Sequence, residues 1–186
     1  MRLILIENNL PLLPLENMAE RHQGLTSSVA QNNLEAARIC LDRHHLSPKE
    51  FTLEDDKVES RAKVEWEPTD KRTKDAWDKD DATEAGACAF SIAAIELLRN
   101  LFAVRRMSKG TGADYYVALD NQDLEDLENC FRLEVSGTSS DKVEVKKRLN
   151  VKIDQTKKGN SNLPALVSIV GFKVQLILLH TVDGKS

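Results

Sequence analysis

The segment from Asp81 to about Met107 constrains the fold of this chain more than any other part of the sequence. It is dense in small residues at its start, and apolar side chains recur at helical spacing, at Cys88, Ile92, Ile95, Leu98 and Phe102. This spacing predicts a long helix with a broad apolar face. Gly110 and Gly112 then permit the chain to reverse direction. We therefore expect one long helix that is mostly buried against a sheet.

Two short predicted strands, each with one carboxylate, follow these glycines. Residues 115–119 are aromatic and aliphatic, and Asp114 directly precedes them. Residues 131–135 are the second strand, and Glu134 lies in its interior. The acidic stretch 120–129 between the two strands suits a hairpin connection. The two carboxylates are thus expected on adjacent strands.

The remaining pattern predicts further helices and strands on both sides of this unit. A strand over 149–153 is an alternative to the last predicted helix, because its apolar residues also alternate. In chain order we predict a buried strand at 2–6, an irregular arm to about 25, a helix at 28–44, a half-exposed strand at 62–66, a solvated connector or first helical turn at 69–82, a helix at 141–158, and strands at 165–172 and 174–182. The expected fold is α/β, with a mixed central sheet flanked by helices. Residues 1–80 are expected to form an N-terminal extension packed on a core that spans 81–186.

Composition limits the classes of function. The net charge is −4 over 186 residues, so no broad basic field steers the chain onto nucleic acid, and such binding needs a local patch or a partner. The three cysteines lack metal-ligand spacing, which favours buried thiols in a reducing cytoplasm. No apolar run is long enough to span a membrane. Neither a P-loop nor a serine-hydrolase motif is present in the sequence.

The chemistry of the two acids gives a reason to pair them. Alternation places Arg132, Glu134 and Ser136 on one face of their strand, and such a face is either solvent-exposed or a site. Two carboxylates suit Mg²⁺, which takes one or two protein acids and completes its shell with water and substrate phosphate. A metal in that position activates water and offsets charge on phosphodiester oxygens. A nearby lysine would orient the water or stabilise that charge.

With these residues the chain resembles the PD-(D/E)XK nuclease superfamily. The resemblance covers about residues 81–182 and implies a restriction-endonuclease-like core of helix, three strands, helix and strand. Asp114 matches the first metal-binding acid and Glu134 matches the second. The superfamily usually carries a lysine two positions after the second acid, where this chain has Ser136.

Some members of the superfamily carry this lysine on the following helix instead. Lys152, together with Gln155, is the pair that best matches that role, and Lys146 and Lys147 are competitors. The two residues of the pair are three positions apart and share a helix face. Members also often carry an acid on the first core helix, which Glu84 matches as a third metal ligand.

The resemblance implies hydrolysis of DNA phosphodiesters with Mg²⁺ or Mn²⁺. The motifs GTGADYY and LEVSG also resemble those of a group of uncharacterised bacterial proteins. Because the chain is acidic, we expect delivery of DNA by self-assembly or by a partner such as a motor ATPase, in defence or repair. The protein is then a homo-oligomer or a subunit of a complex, without a membrane.

Each of these residues also has a purely structural interpretation. Asp114 could cap a turn, and Glu134 could pair with Arg132 or with a lysine of the helix. Glu84 could be a favourable acid in the first turn of its helix. If those interpretations hold, the protein is a catalytically inactive nuclease-fold subunit that acts as an assembly module. Convergence of the two acids and one lysine would favour the enzyme.

Overall fold

The computed structural model describes residues 9–108, 110–119 and 126–185, and a mixed sheet of seven strands is its centre. The strands lie in the order β2-β1-β7-β6-β5-β4-β3. β1 pairs with β7 and β5 pairs with β6 in parallel, and the other neighbours are antiparallel. The strands are β1 (Lys49–Asp55), β2 (Val58–Val64), β3 (Leu101–Arg106), β4 (Tyr115–Leu119), β5 (Phe131–Thr138), β6 (Ala165–Gly171) and β7 (Leu176–Val182).

Helices cover both faces of this sheet. They are α1 (Met18–Arg21), α2 (Ser27–Asp42), α3 (Lys71–Asp75), α4 (Lys79–Arg99) and α5 (Lys142–Lys158). α2 and α4 contribute to the larger apolar core with Leu133 and Leu166 of the sheet. Val145 of α5 belongs to a second core with Val167 and Ile169 on the other face. The predicted α/β class with a mixed sheet between helices is therefore confirmed.

Local sequence signals account for most of the elements. Thr26 caps α2, since its hydroxyl accepts a hydrogen bond from the Val29 amide at 3.3 Å. Asp141 caps α5 in the same way through the Glu144 amide at 3.0 Å. The helices predicted at 28–44 and 141–158 are confirmed within two residues at each end, and the alternative strand at 149–153 is wrong. The strands predicted at 115–119, 131–135, 165–172 and 174–182 are also confirmed, with small differences at their ends.

The long helix is shorter than its sequence pattern predicts. α4 ends at Arg99, Asn100 adopts a left-handed conformation with φ of 53°, and 101–106 form β3 instead of a helix. The prediction of a helix to about residue 107 is wrong in this part. Leu101 and Ala103 are buried and alternate with less buried neighbours, as the period of a strand requires. The strand was hidden because its apolar residues also continue the helical stripe.

Residues before 80 join the same sheet and the same core. β1 pairs with β7, and β2 pairs with β1. Only β2 was predicted, as the half-exposed strand at 62–66, and the structure shifts it to Val58–Val64. The connector at 69–82 contains α3 and the start of α4. The predicted strand at 2–6 and part of the connection at 120–129 lie outside the described residues.

Two glycines allow helices to approach closely where the site is built. A Cβ on Gly86 of α4 would lie 2.9 Å from the Ala37 Cα of α2. A Cβ on Gly137 of β5 would lie 2.6 Å from the Thr83 carbonyl oxygen of α4. α4 is therefore held between α2 and the sheet. In the described part of the chain, no helix is both long and apolar enough to cross a membrane.

Candidate functional site

Asp114 is fixed at the point where the chain enters β4. Its amide donates to the Leu133 carbonyl at 2.7 Å, which places it beside β5. Its Oδ2 accepts a hydrogen bond from the Val135 amide at 2.9 Å, and its Oδ1 lies 3.3 Å from Arg106 Nη2. The carboxylate is thus oriented by backbone on one oxygen and by a guanidinium on the other.

Glu134 lies in the interior of β5, on the face that α5 covers. Its side chain is only 8% exposed, and its Oε1 is 2.5 Å from Lys152 Nζ. Burial raises the pKa of the Glu134 carboxyl, the hydrogen bond from Lys152 acts against that rise, and the charge of Asp114 adds to it. A buried carboxylate beside a second one requires a cation, and Lys152 supplies one.

The helix lysine predicted for the site is the one that reaches it. Lys152 projects from α5 onto Glu134, whereas Lys146 is exposed and Lys147 lies 3.9 Å from Glu144 with 73% of its side chain exposed. Gln155, named with Lys152, is exposed on α5. Lys152 therefore contacts Glu134, on which the charge of Asp114 also acts, and Gln155 makes no contact with them.

The neighbours of Glu134 on the same face have partners of their own. Arg132 is buried and donates to the Leu163 carbonyl at 3.2 and 3.1 Å, so it does not neutralise Glu134 directly. Ser136, which stands where the superfamily usually has lysine, accepts a hydrogen bond from Arg148 at 3.4 Å. Of the two structural pairings considered for Glu134, the one with a helix lysine is formed.

A cleft of about 550 Å³ opens on the α4 side of Asp114. Glu84 is exposed on α4 and lines the same cleft as Asp114, together with Arg106 and Tyr115. The Arg106 guanidinium lies 4.7 Å from the centre of the Tyr115 ring. Glu134 does not line this cleft, because its side chain lies between β5 and α5. The charge of the Asp114 carboxylate nevertheless acts on Glu134.

Several residues of the cleft lining are ones that sequence analysis did not connect to the site. Asn33 lies on α2, and Trp77 lies in the segment that was predicted to be a solvated connector. Arg106 was assigned to a helix and is the last residue of β3. No local signal marks these three residues. Arg106 is close to Asp114 because β3 pairs with β4, whereas Asn33 and Trp77 join the same cleft through the packing of the helices.

No protein-family model, curated protein or solved structure matches this chain.

The site offers hard oxygen ligands in a small number. Within residues 9–108, 110–119 and 126–185, no group of three or more His, Cys, Asp or Glu side chains is placed to hold a metal ion. Two carboxylates with water and phosphate nevertheless suffice for Mg²⁺. Cys88 in the cleft wall is a poor nucleophile, because burial and the nearby Asp114 carboxylate raise its pKa to about 12.

Proposed function

We propose that this protein is a metal-dependent, nuclease-like protein that hydrolyses DNA phosphodiesters within a larger assembly. The observation that carries the proposal is the contact of Lys152 with Glu134, next to Asp114. A lysine that reaches the second acid from the following helix is the arrangement that the PD-(D/E)XK resemblance implies when Ser136 replaces the usual lysine. The order α4-β3-β4-β5-α5-β6 also agrees with the helix, three strands, helix and strand of that superfamily.

The residues present fit a divalent cation. Asp114, directly before β4, and Glu134, in β5, provide carboxylate oxygens, and Glu84 lines the same cleft as Asp114 as a third candidate ligand. Among the described residues, Glu134 Oε2 has no hydrogen-bond partner, so it is available to a ligand. Mg²⁺ or Mn²⁺ held by these oxygens would supply an activated water and charge stabilisation at the phosphate.

The residues of the chain have defined tasks in this proposal. The Val135 amide and Arg106 hold the Asp114 carboxylate in one orientation before substrate arrives. Lys152 balances the charge of Glu134 and places an ammonium group beside the phosphate site. Because the chain has a net charge of −4, DNA is delivered by self-assembly or by a protein partner such as a motor ATPase.

A second candidate function is a catalytically inactive subunit that serves in assembly. It is favoured by the same contact, because the amine of Lys152 is committed to Glu134 and Ser136 is bound by Arg148. In that case Glu134 and Lys152 form a structural ion pair that joins α5 to the sheet.

The test combines cleavage and metal binding. Labelled linear, nicked and single-stranded DNA are incubated with the protein and Mg²⁺, Mn²⁺ or a chelator, and Mn²⁺ binding is followed by electron paramagnetic resonance. We expect Asp114→Asn and Glu134→Gln to lower cleavage by about 100-fold or more and to weaken Mn²⁺ binding. Lys152→Met is expected to lower cleavage, whereas Lys147→Met on the exposed side of α5 should not.

Two outcomes contradict the enzyme. Cleavage that persists in the Asp114→Ala, Glu134→Ala double variant would place the activity elsewhere. A folded wild-type protein that neither binds Mn²⁺ nor cleaves any of the substrates would favour the assembly module.

A further inference from the structure

The cleft beside Asp114 has a second wall that the proposed chemistry does not use. Val29 and Asn33 of α2 and Trp77, which lies between α3 and α4, form this wall. The volume of about 550 Å³ is within the range of small-ligand sites and admits a single nucleotide more readily than a double helix. The residues before 80 thus shape a compartment directly next to one proposed metal ligand.

Trp77 is built into this wall in a defined position. It is partly exposed, it packs against the main core, and its Nε1 donates to Glu35 Oε1 at 2.8 Å. The other tryptophan, Trp66, is only 6% exposed and donates to Asp42. An indole that is held by its nitrogen and lines an open cleft is suited to stack on a flat aromatic ligand.

Asn33 supplies the hydrogen-bonding group of the same wall. The residue is 6% exposed and lines the cleft. Within the described ranges its side chain forms no hydrogen bond to protein, and its amide is accessible from the cleft. A ligand that carries a donor and an acceptor on one edge would satisfy both ends of the amide, as a nucleobase does.

The charges of the cleft indicate which part of a nucleotide lies where. Three carboxylates, those of Asp81, Glu84 and Asp114, line it against one guanidinium, that of Arg106. An unneutralised phosphate is repelled by such a wall, whereas a neutral base is not. The base therefore belongs at the Trp77 end, and the phosphate belongs at the Asp114 end where a cation would be held.

We propose that this cleft binds one unpaired nucleobase, stacked on Trp77 and hydrogen-bonded to Asn33. This inference rests on the proposed function and specifies its substrate: single-stranded DNA, or a strand with an extruded base. A paired base inside a duplex is excluded, because its hydrogen-bonding edge is occupied and its faces are stacked.

The test uses tryptophan fluorescence and strands that differ only in their bases. The protein, with Ca²⁺ in place of Mg²⁺ to fill the cation position while slowing cleavage, is titrated with single-stranded dA and dT 12-mers, an abasic strand of the same length and a blunt duplex. We expect the base-containing single strands to quench the fluorescence of the wild type, and the abasic strand and the duplex to have little effect. Trp77→Phe, which retains only the buried Trp66, is expected to lose the quenching.

Affinities of labelled strands, measured by fluorescence anisotropy, test the two residues separately. Trp77→Ala is expected to weaken binding of base-containing strands about 5- to 150-fold, the range for loss of one base–aromatic stack, without affecting the abasic strand. Asn33→Ala should change the ratio of dA to dT affinities, whereas Asn32→Ala at the exposed neighbouring position should not. Circular dichroism confirms that each variant is folded.

The inference is overturned if the abasic and base-containing strands bind equally, if no strand binds, or if Trp77→Ala leaves the preference for bases unchanged. Its failure is distinct from failure of the proposed function. Cleavage that depends on Asp114 and Glu134 but not on Trp77 would refute only the base site. Base-dependent quenching in a protein that does not cleave would refute only the nuclease.

Discussion

The ion pair between Glu134 and Lys152 makes an asymmetric prediction about stability. The side chain of Glu134 is 8% exposed and that of Lys152 is 26% exposed. Lys152→Met leaves a buried carboxylate without its cation, next to Asp114. Removing one partner of a fully buried pair costs about 3–5 kcal/mol, and we expect about 2–3 kcal/mol here because Lys152 is partly hydrated.

Glu134→Gln perturbs the same pair from the other side and should cost less. Glutamine keeps the shape of the side chain, and the ammonium of Lys152 can turn toward water, so we expect about 0–1 kcal/mol. The double variant Glu134→Gln, Lys152→Met removes both charges. It should be about as stable as Glu134→Gln alone, which gives a coupling energy of about 2–3 kcal/mol.

Urea unfolding of the four proteins at pH 7, with a chelator present, measures these free energies by linear extrapolation. Lys147→Met, whose side chain is 73% exposed in the wild type, is the matched control and should change stability by less than about 0.5 kcal/mol. Equal costs for the two single variants, or a coupling energy below about 0.5 kcal/mol, would refute the description of Glu134 as a buried charge held by Lys152.

Two further predictions concern the structure around the site. His22 is buried, and its Nδ1 accepts a hydrogen bond from the Ala103 amide at 3.0 Å, while its Nε2 lies 2.8 Å from Glu96 Oε2. Burial lowers the pKa of the imidazole from the usual 6.5. Near and below pH 6.5 the unfolded chain therefore binds more protons at this residue than the folded protein, so the free energy of unfolding should decrease as the pH is lowered. His22→Gln should reduce this decrease between pH 7 and pH 5, measured by urea unfolding. An unchanged slope would contradict this. Gly137→Ala places a Cβ within 2.6 Å of the Thr83 carbonyl oxygen, so we expect it to lower the free energy of unfolding by about 1–3 kcal/mol, measured by thermal unfolding. An unchanged stability would contradict the close packing of α4 on β5.

The sequence was most informative where one residue pattern decides both conformation and burial. The apolar spacing of α2 and α5, their polar caps, and the aliphatic runs of β6 and β7 are local signals, and they predict these elements. β3 shows the limit of such signals. Phe102 continues the helical stripe, whereas Leu101 and Ala103 alternate as in a strand, and pairing with β4 decided between the two.

The candidate site likewise depends on local sequence signals for some residues and on tertiary packing for others. Asp114 and Glu134 were identifiable from their positions on neighbouring strands, whereas Lys152 was one of three candidate lysines, with Lys146 and Lys147. That Lys152 reaches Glu134 while Arg132 turns to the Leu163 carbonyl was decided by the packing of α5 on the sheet.

The sequence by itself determined the α/β layering, the caps of α2 and α5, and the position of Asp114 and Glu134 on neighbouring strands. Only the tertiary structure decided that 101–106 is a strand, that 49–64 extends the sheet beyond β7, and that Asn33 and Trp77 face Asp114 across one cleft. The physical reason is that periodicity records which face of an element is buried. It does not record the partner against which that face is buried, because the partner is chosen by long-range packing and strand pairing.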